Sequence, residues 1–218
     1  MAFVPRQPVP VFPLPGVVLF PGGELPLHIF ELRYRTMVRE ALSGERVIAL
    51  ALLRPGWESD YHGSPEFFPV GCLARFEEVQ WLPDDCYDLR VLGLARVRLG
   101  RAVREFPYRA VRVQMLDQAP FTEDDPLIQL ERRALLEANT RLARLAATAS
   151  DAPPPSWEGL GFEPLVNTLC MQLAIEPAEK LALLEMESVL ERARRARETM
   201  EDQLRWAERG QRPGGESN

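Results

Sequence analysis

The chain has 218 residues, 46% hydrophobic and 27% charged, with a formal net charge of −6. This is the composition of a soluble globular protein with a sizeable core, and the acidic balance speaks against general nucleic-acid binding. No run approaches the ~18 apolar residues of a membrane-spanning helix. The N-terminus, broken by Pro5, Pro8, Pro10, Pro13 and Pro15, is not a secretory leader, so the expected location is the cytoplasm.

In chain order, VPVFPL (9–14), VVLF (17–20) and ELPLHI (24–29) are short apolar runs separated by Pro and Gly, the pattern of edge strands and sharp corners. An amphipathic helix follows. Phe30, Tyr34, Met37, Val38, Ala41 and Leu42 recur at three- and four-residue steps, and Gly44 ends it. RVIALALL (46–53) is a buried strand, and residues 54–69 form a loop of turn residues. VGCLARFEEVQWL (70–82) and CYDLRVLGLARVRLGRAV (86–103) flank a PDD turn. In the second, Leu89, Val91, Gly93, Ala95, Val97 and Leu99 share one face, and Arg90, Leu92, Leu94, Arg96 and Arg98 the other. Gly93 marks a bulge or bend. YRAVRVQML (108–116) completes six or seven strands, which with one helix predict a small, strongly bent barrel.

Beyond residue 118 the periodicity becomes helical. Thr122 precedes an acidic EDDP turn suited to a helix N-terminus. Ile128, Leu135, Ala138, Leu142, Leu145 and Ala149 keep near-heptad spacing, and SDAPPPSW (150–157) interrupts it. FEPLVNTLCMQLAI (162–175) and PAEKLALLEM (177–186) are short helices, the second opened by Pro177. Over 187–208, Val189, Ala193, Ala196, Met200 and Leu204 line one face. The small Ala193/Ala196 seam invites a helix of this chain or of a second copy. The charge divides at the same place, since residues 1–118 are balanced and residues 119–218 carry the whole −6. The predicted organisation is α+β, with a β-barrel domain at 1–118, a helical domain at 119–210 and a disordered tail at 211–218.

Residues able to do chemistry are few. Lys180 is the single lysine and lies in IEPAEKLAL, outside any GxxxxGK[ST] phosphate loop and in a helical setting that suits a solvated face better than a Schiff base or Ser–Lys dyad. Cys72, Cys86 and Cys170 have no CxxC spacing and read as buried thiols, so neither a metal nor a cofactor is expected. Asp60, His62 and Ser64 sit together in DYHGS, where a hydrolase triad is less expected than ordinary turn chemistry. His28 faces away from Leu27 and Ile29, and a hydrogen-bonded structural role is expected for it.

Two surfaces could bind. Trp57, Tyr61, Phe67 and Phe68 lie on or beside the 54–69 loop, either folded over the barrel end or forming a peptide-binding surface. Between residues 90 and 112 seven arginines face one acid, Glu105. Arg90, Arg96, Arg98 and Arg101 are the candidates there for nucleic-acid contact, although a solvated strand face has the same look.

Four blocks carry a resemblance: PVFPLPGVVLFPGGELPLHIFELRYRTMV (10–38), FFPVGCLARFEEVQ (67–80), DLRVLGLARVRL (88–99) and LVNTLCMQLAIEPAEKLALLE (165–185). Together they resemble the N-terminal, substrate-binding domain of the Lon ATP-dependent protease, above all short bacterial proteins made of that domain alone. The resemblance runs from residue 8 to about 190, and its one departure is Leu32, where the family usually has proline. It implies a PUA-like bent β-barrel with one packed helix, followed by an α-helical bundle. It also implies recognition of unfolded or tagged polypeptides, with no catalytic residue in this domain. The ATPase and protease lie elsewhere in Lon, so a peptidase family label would not mean activity. The expected function is a non-catalytic protein-binding module, suited to an adaptor in protein quality control or to a protease partner. RNA binding through the arginine-rich strands is the alternative. No membrane partner is expected, and homo-oligomers through the helical region are compatible with its seam.

Overall fold

The computed structural model describes residues 3–61, 63–146, 157 and 159–210. The predicted tail at 211–218, the Ala149 end of the first long helix and most of the proline segment lie outside the described residues. The chain divides into two compact units. One is Met1–Asp117 with Ala174–Glu187, and the other is Gln118–Leu173 with Ser188–Asn218.

The first unit is built on six strands: β1 (Val9–Leu14), β2 (Glu24–Ile29), β3 (Val47–Leu53), β4 (Phe67–Trp81), β5 (Tyr87–Arg104) and β6 (Ala110–Met115). Their order is β2-β5-β4-β3-β1-β6, and a β5–β6 pairing closes all but β2 into a ring. β1 and β3 run parallel; every other pair is antiparallel. Val9, Val11, Val47, Ala49, Ala51, Leu73, Val97, Leu99 and Val111 fill the ring, as alternate residues of each strand must when one face points inward. β3 is buried on both faces, which explains its uninterrupted apolar run.

Gly93 is where β5 bends. The register slips beside it, because Leu73 pairs with Ala95 and the next residue, Ala74, with Gly93. A side chain there would collide with the Phe20 carbonyl, since a Cβ would stand 2.3 Å from its oxygen. VVLF, expected as a strand, is not one. Val18, Leu19 and Phe20 are buried, but pairing with β5 comes only after them, where Gly22 N donates to Gly93 O and Gly93 N to Gly23 O, both at 2.8 Å.

Helix α1 (Leu32–Leu42) connects β2 to β3 and buries Tyr34, Met37, Val38 and Ala41. Phe30, expected on that stripe, precedes the helix and is 58% exposed.

Residues 174–187, which the sequence grouped with the helical domain, belong to the barrel unit. They hold α4 (Pro177–Glu185), opened by Pro177 and by Glu179, whose carboxylate accepts from the Glu176 N–H at 3.3 Å. The anchor is Arg96. It is 4% exposed, and its guanidinium donates to the carbonyls of Leu184 (3.1 Å), Met186 (2.7 Å) and Asp117 (2.6 Å). Three carbonyls, one buried and two in partly buried bonds, at the two places where the chain leaves the unit are thereby satisfied by one charged donor.

The second unit contains α2 (Pro126–Ala146), α3 (Phe162–Gln172) and α5 (Val189–Gly210). The predicted seam is its core, with Val189, Ala193, Ala196, Met200 and Leu204 buried beside Ile128, Leu135 and Ala138. Helices of this chain therefore cover the Ala193/Ala196 seam. Polar contacts that the apolar pattern hides also hold the unit. Fully buried Arg192 donates to Asn167 Oδ1 at 2.8 Å, and Glu131 takes Arg197 at 2.7 Å.

Arg96→Ala should cost about 3 kcal/mol of stability, because it leaves one buried and two partly buried carbonyls without their donor. Arg98→Ala, two residues away on the exposed side, should change stability by less than about 0.5 kcal/mol. Urea denaturation followed by circular dichroism measures both.

Candidate functional site

The candidate surface is the loop between β3 and β4. It starts from Gly56, whose φ of 86° admits glycine most readily, and makes one 3-10 turn at Trp57–Asp60. The start of α1 fixes it in place. Glu31 Oε2 accepts from Arg33 Nε at 3.0 Å, and Glu31 Oε1 accepts from the Tyr61 hydroxyl at 2.8 Å. The Arg33 guanidinium then donates to the carbonyls of Tyr61 (2.7 Å) and Gly63 (2.8 Å). These groups are partly buried, where charged hydrogen bonds keep their strength. The bond to Glu31 raises the Tyr61 phenol above its ordinary range.

Within this frame all four aromatic candidates are half-buried. Trp57 meets Tyr61 edge-on with centroids 5.5 Å apart. The Arg54 guanidinium lies over Phe68 at 4.9 Å and that of Arg109 over Phe67 at 4.2 Å. Trp57 and Phe68 share a shallow groove of about 230 Å³ with Pro15, Leu52, Leu53 and Pro177, and Glu176 is its one charged lining residue. Tyr61 and Phe67 do not line it; Tyr61 is tied to Glu31, and Phe67 packs against the barrel core. The four therefore divide into two that shape a groove and two that hold the loop. The groove has room for one or two apolar side chains and presents no acid–base pair.

The same helix secures two further places. Arg35 donates to Asp85 Oδ2 at 3.0 Å and thereby pins the β4–β5 turn. Glu40 accepts from Arg104 (2.8 Å) and from the Tyr108 hydroxyl (2.6 Å), at the junction of β5 and β6.

The remaining candidates scatter. His28 Nδ1 lies 2.6 Å from Asp88 Oδ1, its cross-strand neighbour on β5, and both are about half exposed. Arg90 pairs with Glu24 and Glu78. Arg96 leaves the arginine stripe altogether, because the 174–187 segment covers that part of the strand's outer face and the guanidinium is spent on carbonyls. Arg98 and Arg101 are exposed. In DYHGS, the Asp60 carboxylate accepts from the Ser64 backbone N–H at 3.2 Å, an ordinary turn bond. His62 lies outside the described residues. Cys72, Cys86 and Cys170 are buried and not joined in disulfides. Among the described residues no group of three His, Cys, Asp or Glu gathers to hold a metal, and no helix is long and apolar enough to cross a membrane.

Residues 8–202 match the family model of the ATP-dependent protease La (LON) substrate-binding domain. The chain belongs to the LON substrate-binding domain family. A Lon protease of Anaeromyxobacter dehalogenans is 32% identical over 116 residues, which are 53% of this chain and 14% of that protein. The chain thus corresponds to a small part of such relatives. The N-terminal domain of Mycobacterium avium complex Lon protease superposes with a TM-score of 0.64 at 19% identity, over 90% of this chain and 99% of that one. A Lon N-terminal domain protein from Xanthomonas campestris gives 0.60 at 23% identity, over 92% and 98%. Both share the fold.

In this LON domain the groove is assembled from segments far apart in the sequence. Pro177 joins Trp57 and Phe68 only because α4 returns to the barrel. The run ELRYR does contain the frame, but neither Glu31 nor Arg33 shows by spacing that its partner is a loop some 30 residues on.

Two buried acids set the domain's alkaline limit. Burial pushes Tyr34 up to about 12 from 10.0, and Cys72 up to about 12 from 9.0. Both are neutral when folded and ionise more readily when unfolded. Their contribution is whole below pH 9 and is lost as pH rises toward 12. Urea denaturation at increasing pH should show that decline, and Tyr34→Phe should flatten its part above pH 10. An unchanged slope in Tyr34→Phe would contradict the assignment.

Proposed function

We propose that this domain binds unfolded or tagged polypeptide through the Trp57/Phe68 groove and acts as a non-catalytic adaptor in protein quality control, alone or with a protease partner. The observation that carries the proposal is an apolar, proline- and aromatic-lined groove on a loop that hydrogen bonds to Glu31 and Arg33 hold in advance. A preformed apolar groove suits side chains that native proteins bury, and it binds them without an added cost of ordering the loop. The family match supports substrate binding in this chain. The acceptance of many sequences follows from the lining, which has shape and apolar surface but few groups able to read a specific one.

RNA binding is the weaker alternative. Of its four arginines, Arg96 is buried and Arg90 is matched by two glutamates, which leaves Arg98 and Arg101. Salt separates the two readings, because phosphate contacts weaken steeply with ionic strength and apolar contacts do not.

Fluorescence anisotropy with labelled, reduced and carboxymethylated α-lactalbumin provides the test. Trp57→Ala combined with Phe68→Ala should weaken binding about tenfold or more, as expected for aromatic anchors in a groove. Arg98→Ala with Arg101→Ala should leave it unchanged. Salt-sensitive binding of single-stranded RNA together with indifference to the unfolded protein would overturn the proposal.

A further inference from the structure

A second depression lies on the far side of the same loop. It measures about 330 Å³ and is walled by Pro13, Leu32, Tyr34, Phe106 and Pro107, with Gly63, Ser64 and Pro65 of the loop along one rim. Two of its walls are unusual, because Leu32 is 67% and Phe106 79% exposed. Large apolar side chains held in water beside a concavity mark a contact surface.

The polar lining has a sign. Arg33 and Arg109 line the depression against one acid, Glu105. The Arg33 charge is matched by Glu31 at 2.9 Å. Arg109 is different. Its guanidinium donates to the Pro65 carbonyl and stacks on Phe67, and no carboxylate of the described residues forms an ion pair with it. Burial lowers its proton affinity, as expected of a cation held partly out of water. A carboxylate brought into the depression would find that charge already in place.

The depression also neighbours the first groove along the loop. A third, small hollow runs along the loop. It shares Pro55 and Trp57 with the first groove and Pro65 with the second.

We infer that the Leu32/Phe106 depression is a second polypeptide subsite, and that it selects segments in which a large apolar residue adjoins an acidic one. The apolar side chain enters between Leu32 and Phe106, and the neighbouring carboxylate faces Arg109. This inference rests on the polypeptide-binding reading of the loop, and it adds a charge preference that the first groove does not have. A basic segment would instead bring a second cation beside Arg109, whose charge no ion pair among the described residues matches, and like charges repel.

Two short fluorescein-labelled peptides test it. One has a Phe-Asp-Leu-Asp core, and the other has lysine in place of both aspartates. The acidic peptide should bind about tenfold more tightly than the basic one. Phe106→Ser and Leu32→Ser should each remove most of that difference, while Trp57→Ala should weaken both peptides alike. Both substituted side chains are largely exposed, so the circular dichroism of the variants should match the parent. Should Phe106→Ser nonetheless unfold, Leu32→Ser decides alone. Equal affinities for the two peptides, or a preference untouched by either serine variant, would overturn the inference and leave the first groove standing. Failure of both peptides to bind would overturn the polypeptide reading itself. Sedimentation velocity covers the remaining occupant. If Phe106→Ser dissociates a dimer and leaves peptide binding unchanged, the depression is a self-association surface and the inference fails.

Discussion

Glu31 and Arg33, two residues apart at the start of α1, form the ion pair from which the candidate surface hangs. Their side chains hold the β3–β4 loop at Tyr61 and Gly63. Further along the helix, Arg35 holds the β4–β5 turn and Glu40 the end of β5. The opposite face of α1 is apolar and packs into the barrel through Tyr34, Met37 and Val38. A single helix thus supplies both kinds of attachment. Its apolar side secures the helix itself, and its charged side secures the irregular segments, which carry too little apolar surface to fix themselves. Exposed ion pairs contribute little, but the Arg33–Glu31 pair is partly buried and Arg33 donates to two loop carbonyls as well, so its bonds act as a set.

Much of the fold was legible from local pattern. Strict alternation exposed the inward residues of β5, and three- and four-residue steps exposed the buried face of α1. Five residues at helical spacing gave the core face of α5. Gly93 was legible as a bend because strand interiors rarely tolerate glycine without a reason, and here the reason is the Phe20 carbonyl. What escaped was set by long-range contact. VVLF is as apolar as a strand, and only its neighbours decide that it packs without pairing. Arg96 sits at a solvent-facing position of β5 by periodicity, and a segment some 90 residues later covers it. The apolar periods of α3 and α5 could not show Asn167 and Arg192 as buried partners, because a period records surface and not hydrogen bonds.

The candidate site was legible in part. The four aromatics drew attention to the loop that carries the candidate groove, but chemical type alone could not divide them into groove and scaffold. That division depends on Glu31 beside Tyr61 and on the core beside Phe67. The prolines of α4 and of the β1 end, which complete the groove, carry no signal of function in sequence. The Leu32/Phe106 depression left no pattern either, because its walls come from β1, the start of α1 and the segment before β6. A surface for variable polypeptide is built from shape, apolar area and a few placed charges. A surface of the proposed kind therefore needs no short motif.

Hydrogen exchange read by mass spectrometry on an Arg33→Gln variant tests the central claim most directly. The account predicts that peptides covering 54–66 lose protection while those covering β3 and the body of β4 keep theirs, since the guanidinium holds the loop and not the barrel. Unchanged protection of the loop would show that it stands without α1 and would contradict the account. Loss of protection throughout the barrel would contradict it equally, by making Arg33 a determinant of the fold and not of the surface.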